Sequence, residues 1–188
     1  VEGRVAIGDY AGQYSQGWKG TAVGYGAGNT SQGDWSVAIG LNAGNTNQGH
    51  SSVAIGHVAG TNNQGTDAVA IGVYAAENGS GERSVHIGDQ AGLNNPGQGA
   101  VGVGYYSGYS AGEYSVALGW GAGWGDGGNL GNYAVAIGAL AGASGSQDHS
   151  IVLNASGDYF DATASGLFIR PVRYTEKQDA VSYTHLTP

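Results

Sequence analysis

Several short stretches of this 188-residue chain have residue types at spacings that could do chemistry. Gly108-Tyr109-Ser110-Ala111-Gly112 fits the Gly-x-Ser-x-Gly pattern of a nucleophile elbow. That device needs a sharp strand-to-helix turn and a nearby His and acid. No helical stretch follows here, and 38 glycines make accidental matches common. Gly97-Gln98-Gly99-Ala100-Val101-Gly102 and Gly123-Trp124-Gly125-Asp126-Gly127-Gly128 fit Gly-x-Gly-x-x-Gly. Neither opens a helix whose free N–H groups could cradle a phosphate. Asp126-Gly127-Gly128-Asn129 offers one carboxylate for a calcium turn, fewer hard oxygen ligands than such a site uses. Asp9 and Asp89 occupy equivalent repeat positions but stand five repeats apart, so they form no acid pair. Without Cys, thiolate zinc sites, Cys nucleophiles and disulfides are excluded. The expectation is a protein that is not an enzyme and has no cofactor or metal.

The histidines His50, His57, His86 and His149 fall in different repeat slots without ligand spacing. His86 stands out because it replaces an Ala that recurs in other repeats. Copies of it around a symmetry axis could hold an anion or a metal. A single interface histidine with its hydrogen bonds satisfied is the preferred reading.

The aromatic residues say more. There are 12 Tyr and 4 Trp against 2 Phe, so the aromatics carry polar handles. Tyr105, Tyr106, Tyr109, Tyr114, Trp120 and Trp124 fall within twenty residues. Exposed Tyr and Trp on irregular loops bind sugars or protein surfaces by stacking and hydrogen bonding, so these six are the candidate receptor-binding residues. They could instead stack as ladders along the edge of the repeat. Charge excludes another partner: 14 acids against 6 scattered bases leave a net charge of -8 and no basic face for nucleic acid. No apolar run is long enough to cross a bilayer as a helix, so no membrane insertion by this segment is expected.

The elements that position these residues follow from a repeat. Val-Ala-Ile-Gly or a close variant begins at Val5, Thr21, Val37, Val53, Val69, Val85, Val101, Val116, Val135 and Ile151. Six successive steps are 16 residues, followed by steps of 15, 19 and 16. Each start leads to a second small-Gly pair, such as Ala43-Gly44 or Ala59-Gly60, and then to a polar turn-like run. Sixteen residues are too few for a helical repeat, and Gly at this density opposes helix. Val and Ile at alternate positions favour strand. The pattern predicts an all-β parallel solenoid of about ten 16-residue coils, a rod of roughly 45–50 Å at about 4.8 Å per coil.

Alternation places Val37 and Ile39 on one face of their strand and Ala38 on the other. The expectation is that Val37 and Ile39 fill the coil interior, stacked on Val53 and Ile55, with Ala43, Ala59 and Ala75 facing them. Gly40, Gly56 and Gly72 would allow the bend between the two runs. The outward column, including Ala38, Ala54, Ala70, His86, Ala117 and Ala136, is then unusually small and apolar for a solvent face. Such a column would be covered by identical chains around an axis, so these six are the expected oligomer-interface residues.

Ser36-Val37-Ala38-Ile39-Gly40 and Ser52-Val53-Ala54-Ile55-Gly56 resemble the head repeats of trimeric autotransporter adhesins, and nearly the same repeats occur in phage tail fibres. The resemblance covers residues 1–157 and implies a left-handed parallel β-roll in a homotrimer. Ser150-Ile151-Val152-Leu153-Asn154-Ala155-Ser156-Gly157 and the following Ser165–Arg173 are similar to the junction preceding an endosialidase-type intramolecular chaperone of viral tail fibres. The function this implies is a structural and receptor-binding segment of a trimeric phage tail fibre on the virion. Its partners would be two identical chains and a glycan or protein of the host surface. The alternative is the head of a bacterial trimeric adhesin at the cell surface. An ice-binding solenoid is a remote rival, since no Thr-x-Thr column is present.

The domain expectation is a roll over 1–157, a junction over 158–179 and a non-native tail over 180–188. That tail breaks the preceding composition and looks like read-through of a sequencing adaptor, so His185 carries no weight. The chain starts at Val1 with no visible secretion signal and reads as a fragment.

Overall fold

The computed structural model describes residues 3–125 and 129–172. Asp126, Gly127, Gly128 and the tail over 180–188 lie outside the described residues. The fold is a parallel β-solenoid of about ten turns of about 16 residues each, with no helix among the described residues. Its strands are β1 (Val5–Ile7), β2 (Tyr14–Gln16), β3 (Thr21–Val23), β4 (Thr30–Gln32), β5 (Val37–Ile39), β6 (Thr46–Gln48) and β7 (Val53–Ile55). They continue as β8 (Val69–Ile71), β9 (Val85–Ile87), β10 (Val101–Val103), β11 (Val116–Leu118), β12 (Val135–Ile137), β13 (Ser150–Asn154) and β14 (Gly166–Arg170).

The Val-Ala-Ile strands form one 11-stranded parallel sheet, in the order β1-β3-β5-β7-β8-β9-β10-β11-β12-β13-β14. Its register follows the repeat, with Val37 opposite Val53 and Ile39 opposite Ile55. The sheet continues through β14, where Phe168 pairs with Val152, so regular pairing passes residue 157 and reaches Arg170. β14 lies within the region 158–179. The polar runs make a smaller sheet, β2-β4-β6, on the other wall. The middle residues Ser15, Ser31 and Asn47 have φ of 61°, 57° and 53°, a left-handed conformation that small polar residues tolerate. Only the residues on either side of them pair between coils.

The expected direction of the Val-Ala-Ile strands is reversed. Ala22, Ala38, Ala54, Ala70, His86, Ala117 and Ala136 are completely buried inside their own chain, whereas Ile39 is 38% and Ile137 40% exposed. The column expected at an oligomer interface is thus the interior of the roll, and the Val and Ile columns form its outer face. Width is the reason. A Cβ built on Gly60 would lie 3.2 Å from the Ala54 Cβ across the interior, so the two walls already touch through a single methyl group. A branched side chain has no room there.

The rest of the interior is correspondingly small. Ala43, Ala59 and Ala75 are buried as expected. Gln32, Gln48 and Gln64 lie inside as well, and their Nε2 groups donate to the carbonyls of Thr21, Val37 and Val53 at 2.9, 2.8 and 2.8 Å. Ser36, Ser52 and Ser84 turn their hydroxyls back to the carbonyls of Gly33, Gly49 and Gly81 at 2.6–2.8 Å. These bonds satisfy the buried amide and hydroxyl donors, while Gln32 Oε1 and Gln48 Oε1 remain without a partner. The bends rest on Gly40, Gly56 and Gly72, with φ of 130°, 131° and 136°.

Candidate functional site

The aromatic side chains stand where the coil turns, because the interior cannot take them. Tyr105 and Trp120 follow the bend glycines Gly104 and Gly119 on successive coils, and the Gly121 N–H donates to the Tyr105 carbonyl at 2.9 Å. Tyr109 and Trp124 likewise follow Gly108 and Gly123 in one slot of those coils. Tyr106 joins them: its ring centroid lies 4.4 Å from Tyr105, 6.3 Å from Tyr109 and 5.5 Å from Trp124. Partial desolvation, with the Tyr106 phenol and the Asp89 carboxylate close by, pushes the Tyr105 phenol above its ordinary value. Tyr105, Tyr106, Tyr109 and Trp124 form one cluster, and Trp120 occupies the same edge.

Tyr114 does not belong to it. It occupies the turn before the next Val-Ala-Ile strand and stacks on Tyr133 (5.4 Å, 20° between planes), which stacks on His149 (5.2 Å, 14°). These three have φ of 54°, 55° and 58°, so the same left-handed turn repeats and aims successive rings alike. Acidic and amide side chains bind this turn to its neighbours: Asn132 Oδ1 accepts from the Glu113 N–H and Asp148 Oδ1 from the Asn132 N–H, both at 2.8 Å. These groups thereby close open backbone donors between coils. The candidate receptor-binding residues therefore occupy two edges of the roll.

Further exposed aromatics pair along the axis, Tyr10 with Tyr25 (5.3 Å) and Trp18 with Trp35 (5.6 Å). His57 joins Tyr74 at 5.2 Å, and His50 lies 3.9 Å from Asp34. Among the described residues, no three His, Cys, Asp or Glu side chains come together in a group able to hold a metal.

His86 is neither on an interface nor satisfied. It is fully buried, and neither Nδ1 nor Nε2 has a hydrogen-bond partner. Burial lowers its pKa to about 4, because the protonated ring would lose its hydration without gaining an acceptor. Its space comes from glycines: a Cβ on Gly92 would sit 2.3 Å from His86 Nδ1, and one on Gly102 in the next coil 3.0 Å away.

Tyr159 is an aromatic that the sequence cluster leaves out. It lines a depression of about 230 Å³ with Trp124, Ala143 and Ser144. The signal in the sequence is its separation from Trp124 of 35 residues, close to two coil lengths.

These features define a parallel β-solenoid repeat protein with two aromatic edges and one apolar sheet face. No family model, curated protein or solved structure matches the chain.

Proposed function

We propose that this chain is a structural and receptor-binding segment of a homotrimeric phage tail fibre, attached to a virion and presenting its aromatic edges to a host surface. The observation that carries the reading is the outer face of the long sheet. Ile39, Ile87, Val103, Ile137 and Ile151 all stand exposed on it, while the opposite wall is faced with Ser and Asn. A continuous apolar sheet face of this kind is unusual on a monomer and marks an interaction surface. Because the face repeats along the axis, a second and third copy can cover it in register. The Val and Ile columns thus take the interface role expected of the Ala column. The repeat motifs and the segment after Ser150 resemble such fibres and supply the virion assignment and the number three.

Stiffness and multivalency would then do the work. Three copies of each aromatic edge on one rod convert weak individual contacts into avidity. Sedimentation equilibrium of the purified chain tests the assembly: a trimer is expected, and a folded monomer at nanomolar concentration rejects it. Host-cell attachment tests the edges, with Trp120→Ala plus Trp124→Ala expected to abolish binding in a chain that still assembles.

A further inference from the structure

We infer that the depression between Trp124 and Tyr159 is a binding site for one neutral pyranose ring. The inference deepens the attachment reading above and rests on it. Trp124 belongs to the coil that begins at Val116, and Tyr159 to the one that begins at Ile151. Between them, in the coil beginning at Val135, the aromatic slot holds Ala143 followed by Ser144. An aromatic residue is therefore absent at one level and present in the coils on either side. Two coil spacings are about 9.5 Å. Side chains leaving one slot two levels apart thus leave room for one ring over the intervening Ala143 and Ser144.

The lining suits a sugar. Trp and Tyr offer flat, electron-rich faces to the C–H groups of a pyranose, and the exposed Ser144 and the phenol of Tyr159 offer hydrogen bonds to its hydroxyls. The volume of about 230 Å³ lies below the usual range of drug-sized pockets, which points to a single ring. Local charge selects its class. The Ser144 N–H donates to Asp161 Oδ1 at 2.9 Å, and Asp158 immediately precedes Tyr159. Arg170 is already 3.7 Å from Asp158. The Asp161 carboxylate beside Ser144 would repel a carboxylated or sulfated sugar, and among the described residues no cationic side chain lines the depression to offset it. A neutral hexose or N-acetylhexosamine meets no such repulsion.

Saturation-transfer NMR on the full chain tests this with methyl β-glucopyranoside, methyl β-galactopyranoside, N-acetylglucosamine and N-acetylneuraminic acid as probes. Transfer to at least one neutral sugar is expected, and none to N-acetylneuraminic acid. Trp124→Ala and Tyr159→Ala should each weaken binding by about tenfold or more. Trp18→Ala, remote on the rod, should leave it unchanged. Ser144→Trp guards against misfolding as an explanation, since it fills the depression from an exposed position and should abolish transfer while the melting profile is retained. No transfer to any neutral sugar, undiminished transfer in all three cleft variants, or preference for the acidic sugar would each overturn the site. A chain that adheres to host cells but fails these tests loses the sugar site and keeps the attachment reading. Sugar binding without adhesion keeps the site and removes the attachment reading.

Discussion

His86 is the largest departure from the small-residue rule of the interior other than Leu130, and its consequence is a pH dependence. Its pKa falls from about 6.5 in the unfolded chain to about 4 in the roll. A lowered folded-state value means that the unfolded chain binds the proton more readily. The contribution of neutral His86 is complete above pH 6.5 and diminishes as the pH falls toward 4. At 1.36 kcal/mol per unit, about 3 kcal/mol is lost across that window. Denaturant titrations at pH 7.5, 5.5 and 4 should show the loss, and His86→Ala should flatten it in that interval. An unchanged slope in the variant would place the titrating group elsewhere.

The bend glycines act at the scale of the coil. Gly56 has φ 131°, and a Cβ there would lie 2.4 Å from the Gly72 carbonyl oxygen of the next coil. Both the backbone conformation and the coil spacing therefore exclude a side chain. Gly56→Ala should cost more than about 1–3 kcal/mol, the scale of one strained backbone position, because a rigid carbonyl must also move. Thermal unfolding followed by circular dichroism checks it: a melting point within a degree of the parent would show that the coils can separate. The neighbouring Ser52 is fully buried, and its hydroxyl donates to the Gly49 carbonyl at 2.7 Å.

At the scale of the molecule, the outer Ile column distinguishes a lone rod from an assembly. Ile39 is 38% exposed within one chain, so Ile39→Asp in a monomer would cost about 1–2 kcal/mol in lost burial and strand propensity. In a trimer it brings three carboxylates together on an apolar surface, a cost of several kcal/mol. Sedimentation velocity should show dissociation of the variant. The melting temperature of the parent should also rise with protein concentration, as association couples to folding. A parent melting point independent of concentration, with an Ile39→Asp variant equally stable, would refute the shared face.

The period of the sequence was enough for the parallel solenoid, the register of Val37 on Val53, and the bends at Gly40, Gly56 and Gly72. Stacking identical coils brings equivalent residues together and requires no further information. The facing of the strands was not legible. Alternation separates Val37 and Ile39 from Ala38, but both sets are apolar, and the inward one depends on the gap between walls. That gap is a property of the whole coil, set where Gly60 meets Ala54. Tyr114 departs from the other five aromatic candidates for a related reason. Eight residues along the chain carry Tyr106 across the coil to Tyr114 on the other edge, whereas a full turn returns a side chain to its neighbour. Trp124 and Tyr159 come to line one depression because winding converts distance along the chain into height along the rod.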